Sequence, residues 1–178
     1  ELRMLPRLAR RLAAGKRVGG ISTIDQQVVR IARNRYERSV GRKAGELVFA
    51  LLLNAHCSKL QIFHYYLHFA YMGYCIQGVE VASNILFQKR AIQLDAEESC
   101  FVAALLARPA PRSLVRFVAS SETTYRPDEL FGLALGFGEE RWVVHCKRRY
   151  VYALRNYQRI PTSFFKASSR QIFSLCLI

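Results

Sequence analysis

Apolar positions along the chain recur mainly at helical spacing, and no stretch alternates with the period of two that marks a half-buried strand beside an Asn-Gly or Asp-Gly turn. The pattern predicts an all-α domain. Leu2, Leu5, Leu8 and Leu12 share one helical face opposite Arg3, Arg7, Arg10 and Arg11, ahead of a break at Gly15-Lys16-Arg17. That segment reads as a surface helix with a solvated basic face or as a helix lying on a membrane, and the two readings are compatible. After Gly19-Gly20, Ser22 followed by Asp25 resembles a capping box, with Asp25 where Glu or Gln is usual, and predicts a helix to about Tyr36. A second helix starts near Arg42 and runs through Leu47-Val48-Phe49-Ala50-Leu51 to Asn54, apolar enough to predict a buried central helix. Ser58 suits the cap of a third, aromatic-rich helix ending at Gly73, and a short fourth follows Gly78 to about Gln88. Asp95 and Glu98 form another capping box, whose helix must stop before Pro109. Residues 109 to 126 read as a loop and Glu139 to about Tyr157 as a long amphipathic helix. The tail over 161–178 is apolar but unpatterned and acquires no role.

Composition narrows the setting. The chain has 178 residues, 51% of them hydrophobic, which suffices for one core, so a single domain over 1–178 is expected. Its net charge of +14 is unevenly spread: residues 1–43 carry 12 basic and 3 acidic side chains, 44–107 carry 3 and 5, and 108–178 carry 12 and 5. Two basic ends therefore flank a nearly neutral, apolar middle. Such a field admits nucleic acid, anionic lipid headgroups and phosphorylated substrates alike. Cys57, Cys75, Cys100, Cys146 and Cys176 are odd in number, scattered and without a CxxC pair, so they read as buried small apolar residues rather than a disulfide framework. The longest apolar run, Val48 to Leu53, is far shorter than a membrane span, and no signal peptide is visible. Because the sequence opens on Glu1, an upstream membrane anchor is expected to precede it.

Three clusters hold candidate chemistry. Thr23, Gln27, Arg30 and Asn34 fall on one polar stripe beside the apolar stripe of Ile24, Val28 and Ile31, and the glycines before this helix leave its first N–H groups free for an anion such as a phosphate. The alternative is a capped amphipathic helix that binds nothing. Arg42, Lys43 and Glu46 sit within one turn at the head of the apolar helix. As structure alone they amount to an Arg42–Glu46 pair and a solvated lysine. As chemistry, burial raises the carboxyl pKa while the two cations oppose the rise, and cations beside an acid suit a reaction that expels a pyrophosphate, the acid positioning or protonating. His64 and His68, at i and i+4, have zinc-ligand spacing, but no acidic residue of a metalloprotease motif lies between them and their aromatic surroundings favour packed imidazoles.

Taken together these segments resemble the family 51 glycosyltransferases, the domain of bifunctional penicillin-binding proteins and monofunctional peptidoglycan transglycosylases. The pattern GxSTITQQ is met from Gly20 to Gln27 with Asp25 in place of threonine. RKxxExxxAxxLE is met by Arg42, Lys43, Glu46, Ala50 and Leu53, with Asn54 in place of the last glutamate. KxxILExYLNxxxxGxxxxGxxxAAxxYFGK finds Lys59, Ile62, Tyr66, Leu67, Gly73, Gly78, Ala82, Phe87 and Lys89 in register, while Phe63, His64, His68, Ser83, Leu86 and Gln88 depart from it. A looser LxxxExAxLAxLPxxP keeps Leu94, Glu98, Ala103, Leu105 and Pro109, with Leu106 for the first proline. The match spans roughly residues 20 to 109, in order and with internal spacing kept.

The resemblance implies a lysozyme-like all-α lobe with a small membrane-contacting region, acting at the extracytoplasmic face of the bacterial inner membrane. It implies polymerisation of lipid II by displacement of undecaprenyl pyrophosphate, with the nascent glycan chain as the other substrate and further cell-wall synthesis proteins as partners. Thr23, Gln27, Arg30, Arg42 and Lys43 would contact the donor's phosphates and sugars, Arg30 standing where lysine is usual, and Glu46 would be the second of two essential carboxylates. The first belongs to a motif EDxxFxxHxG, absent from these residues; Glu1 lacks its companions, so the chain is expected to be truncated at its N-terminus and inactive alone. The sequence assigns no cofactor, and a divalent metal assisting the pyrophosphate is compatible. Two rivals stay open: a non-catalytic homologue that binds lipid-linked precursors or cell-wall proteins, and a basic helical nucleic-acid module. The second explains neither the glycine and tyrosine spacing nor the apolar middle, so nucleic acid is not an expected partner.

Overall fold

The computed structural model describes residues 22–37 and 39–160. The expected basic helix at Leu2–Leu12, the glycines before Ser22, Cys176 and the tail lie outside them. Eight helices occur among the described residues, six of them where the spacing of apolar positions predicts: α1 Ile24–Arg33, α2 Val40–His56, α3 Lys59–Phe69, α4 Val79–Phe87, α5 Ala96–Leu105, α6 Arg112–Ala119, α7 Pro127–Gly136 and α8 Glu140–Tyr157. A two-stranded antiparallel ladder, β1 Tyr71–Gly73 with β2 Ile76–Gln77, and a 3₁₀ turn at Ala91–Gln93 complete the order. The elements gather into two compact units, one ending at Phe69 and the other beginning at Ala70.

In the first unit α1 packs against α2 and α3. Its N-cap is Thr23, not Ser22: the Thr23 hydroxyl accepts from the Gln26 amide at 3.4 Å, which shifts the start by one residue from the expected box. The helix stops three residues short of Tyr36, because Asn34 enters the left-handed region at φ 48° and its N–H turns back to the carbonyls of Arg30 and Ile31. The expectation for α2 is overturned in part. Its buried face carries Glu46 and Ala50, at i and i+4, whereas Leu47, Val48, Leu51 and Leu52 form an exposed face, Leu51 at 56% exposure. Helical geometry forces the choice: turning the carboxylate inward toward α1 turns the leucine-rich stripe outward. α3 opens as expected, with Ser58 and Gln61 capping each other's amides at 3.2 and 2.8 Å, and buries Ile62 and Tyr66.

The second unit has an aromatic core. α5 and α8 form its main packing, and Phe101 on α5 lies 5.1 to 6.5 Å from the rings of Phe87, Phe131, Trp142 and Tyr150. The Asp95–Glu98 box stands as expected, each side chain accepting from the other's amide at 2.8 and 2.9 Å. Two motif glycines have physical reasons. A Cβ on Gly73 would lie 2.9 Å from both the Cβ and the carbonyl oxygen of Ala110, where the chain returns to bond Met72 and Tyr74, and Gly78 begins α4 at φ 85°. Three expectations change here. The aromatic helix ends at Phe69 and a hairpin takes its place to Gly73. The segment read as a loop contains α6, whose Leu114, Val115 and Val118 are buried, and α7 follows it unannounced. Cys100 and Cys146 are buried as expected, but Cys75 is exposed at the hairpin turn, and all four described cysteines are free thiols.

Candidate active site

The α1–α2 seam brings four of the six expected site residues together. The Glu46 carboxylate, its side chain only 3% exposed, takes both oxygens to Arg30: Nε to Oε1 at 2.7 Å and Nη2 to Oε2 at 3.1 Å. This fork-on-fork geometry is the strong form of the pair. Arg42 donates to Oε1 from one turn earlier, and Lys43 Nζ reaches Oε2 at 3.1 Å. One carboxylate therefore organises three cations, and the cluster keeps a surplus of two positive charges.

Burial by itself would raise the Glu46 carboxyl, but the hydrogen bonds from Arg30 and Lys43 and the charges behind them outweigh it and hold the group at about 2. The hydrogen bond to Glu46 raises Arg30 in turn. At neutral pH the carboxyl is an anion with no proton to give. Of the two roles left open by the sequence, positioning and protonating, the geometry supports positioning: Glu46 holds cations at fixed places against their mutual repulsion.

Two residues outside the expected set belong to this cluster. Lys43 Nζ also donates to Ser22 Oγ at 2.8 Å and Gln26 Oε1 at 2.7 Å, and Arg30 Nη2 approaches Ser22 Oγ at 3.4 Å. The polar stripe that joins this cluster is therefore Ser22, Gln26 and Arg30, at i, i+4 and i+8; it shares Arg30 with the expected stripe and has Ser22 and Gln26 where Thr23 and Gln27 were expected. Both newcomers stand inside the GxSTITQQ match, so the motif carried the signal that the stripe assignment missed. Thr23 serves as the cap. Gln27 accepts from the buried Tyr66 hydroxyl at 3.0 Å, tying α1 to α3 rather than meeting Glu46.

A second polar node lies at the foot of the same helices. Lys59 Nζ pairs with Asp25 at 3.0 and 3.1 Å and also donates to Asn54 Oδ1, while Asn54 Nδ2 donates to the Ala50 carbonyl at 2.7 Å. Asp25 and Asn54 are the departures from the GxSTITQQ and RKxxExxxAxxLE patterns, and both meet on one lysine. His64 and His68 stay on α3, half-buried and exposed, and among the described residues no three His, Cys, Asp or Glu side chains gather as a metal site.

The protein-family model described as Transglycosylase matches residues 2–127. The chain is 44% identical over 105 residues to a biosynthetic peptidoglycan transglycosylase of Alcanivorax borkumensis, an alignment covering 57% of this chain and 42% of that protein. A biosynthetic peptidoglycan transglycosylase of Pasteurella multocida is 41% identical over 95 residues, 53% of this chain and 39% of that one. Penicillin-binding protein 1A of Mycolicibacterium smegmatis is 39% identical over 103 residues, 56% of this chain and 13% of that one. The chain thus spans about two fifths of the length of the two transglycosylases.

Proposed function

The chain belongs to the transglycosylase family, and from that premise we propose that it forms the pyrophosphate-holding part of a peptidoglycan glycosyltransferase. The observation that supports this best is the buried Glu46 carboxylate gathering Arg30, Arg42 and Lys43 into one cationic site. In the proposed reaction the 4-hydroxyl of lipid II attacks the anomeric carbon of the growing glycan. The bond from that carbon to the undecaprenyl pyrophosphate oxygen breaks, and the pyrophosphate leaves with the electron pair. Charge develops on the leaving oxygens, where fixed cations stabilise it at no reorganisation cost. Thr23 and Gln27 contribute through the placement of α1. The proton of the attacking hydroxyl goes to a base that the family pattern assigns to EDxxFxxHxG, a motif these 178 residues do not carry.

The exposed leucine-rich face of α2 supports the membrane-contacting region that the resemblance implies. Leu47, Val48, Leu51 and Leu52 lie on one side of that helix, and Phe63 on α3 is also exposed, a larger apolar surface than a solvated helix ordinarily shows. Seated in the outer leaflet of the inner membrane, this face would bring the cationic site to the depth of lipid phosphates. No helix among the described residues is long and apolar enough to cross a membrane, so the contact proposed is peripheral.

The test is polymerisation. This chain, and separately the same chain extended upstream through the acidic motif, are incubated with labelled lipid II in detergent and the glycan products resolved. Polymer from the extended chain alone supports the reading. Polymer from the short chain removes the upstream base from the mechanism, and none from either favours the non-catalytic homologue.

A further inference from the structure

The last helix of the second unit carries a surface that the proposed chemistry does not use. α8 buries Val143, Cys146 and Tyr150 in the aromatic core. Its opposite side is built on a repeat of seven: Arg141, Arg148 and Arg155 recur with that period, and so do Val144 and Val151. Seven residues are close to two helical turns, so the three arginines stand almost in one line, about 10 Å of rise apart. Val144 is 57% exposed and Tyr152 65% exposed within the same stripe. Val144, Val151, Tyr152 and Arg155 also line a surface concavity of ≈ 490 Å³.

Two features make this stripe unlike an ordinary solvated face. First, none of the ion pairs among the described residues engages Arg141, Arg148 or Arg155, and α8 carries five basic side chains against the single acid Glu140. Aligned like charges without acidic partners repel, and an external anionic surface relieves that repulsion. Second, the stripe also carries apolar side chains, Val144, Val151 and Tyr152, beside the exposed His145. A duplex nucleic acid offers valine only a wall of phosphates, whereas a lipid headgroup layer sets phosphates above an acyl boundary, so arginine stems and heads can reach outward to phosphate while valine and tyrosine sink beside them.

We infer that the Arg141–Arg155 stripe of α8 is a docking surface for anionic phospholipid headgroups. It stands on the second unit alone and does not require the cationic site on α1 and α2 to act in glycan polymerisation.

The test uses the full chain and vesicles of phosphatidylglycerol and phosphatidylcholine in equal parts, with pure phosphatidylcholine vesicles as the neutral arm and no lipid-linked substrate present. Partition is measured by co-sedimentation for the unaltered chain, for Arg148→Gln with Arg155→Gln, and for a control of equal charge change, Arg116→Gln with Arg149→Gln. The control residues are exposed: Arg116 lies on α6, and Arg149 lies on α8 but about 100° around the helix from Arg148, off the line of the three arginines. The stripe variant is expected to lose about thirty-fold in partition to anionic vesicles, the effect of two basic residues removed from a membrane surface. The control is expected to lose less than about threefold, because its charges lie farther from the lipid plane. A third variant, Val144→Ser with Tyr152→Ser, is expected to weaken vesicle binding while leaving binding to a short duplex DNA unchanged. Equal losses in stripe and control variants overturn the assignment. So does an arginine effect that is as large on DNA as on vesicles and is unaccompanied by any effect of the serine variant, which marks a general polyanion surface. Circular dichroism of each variant separates lost docking from lost folding.

Discussion

The two units of this chain solve the problem of an interior in opposite ways. The second is held by a ring cluster: Phe101 meets four aromatic side chains, and charged groups such as Glu98 enter only with a partner, here Lys89 at 2.6 Å. The first places its carboxylate where a leucine would ordinarily go and leaves its leucines outside. Replacing a buried ion pair by packed apolar groups is often neutral or stabilising, so a seam built on one carboxylate and three cations is not explained by stability. The contrast teaches how differently the two interiors are made: the second buries a cluster of rings, and the first holds charge in a fixed geometry and exposes apolar surface.

The sharpest way to break that contrast is to remove the carboxylate. Glu46→Gln leaves Arg30, Arg42 and Lys43 facing one another, and in the upstream-extended chain it is expected to abolish glycan polymer. It should also cost the first unit about 3 kcal/mol, the low end for breaking a buried pair because Lys43 is nearly half exposed. Amide exchange should rise in α1 and α2 and stay unchanged in α5 and α8. Near-normal polymer yield would remove Glu46 from the mechanism. The reciprocal variant, Phe101→Ala, is expected to cost the second unit about 3 kcal/mol through the cavity it leaves, with α1 and α2 exchanging as before.

Acid should separate the units without mutation. Glu46 sits at about 2 in the folded chain, below the ordinary carboxylate value of 4.5. A depressed folded pKa contributes stability that is present above the unfolded value and is lost as pH falls through the window from about 4.5 to about 2. Helical signal is expected to fall across that window before the emission of Trp142, the one tryptophan and a member of the second unit's core, changes. Simultaneous loss of both would mean that the carboxylate does not set the acid limit of the first unit. Gly73→Ala should then cost about 1–3 kcal/mol by overpacking against Ala110, measured by chemical denaturation.

The smallest effect concerns the two motif departures. Asp25→Thr and Asn54→Glu each restore a family letter, and each alone changes the charge facing Lys59: the first strips it of a carboxylate, the second crowds two onto it. Together they move the acid from α1 to α2. Each single change is expected to cost up to about 1 kcal/mol, since Lys59 is largely exposed, and the double variant less than the sum. Strict additivity in a denaturation cycle would show that the two departures are independent.

Much of this was legible in the chain itself. The spacing of Arg42, Lys43 and Glu46 placed them on one helical turn, and the paired letters Ser58–Gln61 and Asp95–Glu98 marked helix starts that depend only on neighbours three residues away. α6 was legible in principle, since Leu114, Val115 and Val118 keep helical spacing and Pro111 sits at the cap, where a missing N–H costs nothing. The hairpin was not legible, because strands of three and two residues are too short to show alternation.

What the sequence by itself determined is local: six of the eight described helices, where most of those begin, and which charged residues lie within a turn of each other. Only the tertiary structure decided which hydroxyl caps α1 and which face of α2 is inside. Ser22 and Thr23 are equivalent as caps by local chemistry, and the difference between them is that Lys43 and Arg30 claim the Ser22 hydroxyl from the side. Likewise, the α2 pattern admits an apolar interior as readily as a carboxylate one. The cations of α1 and α2 resolve it, because a buried anion is tolerated only where opposite charges surround it, and those charges meet only when the two helices are packed.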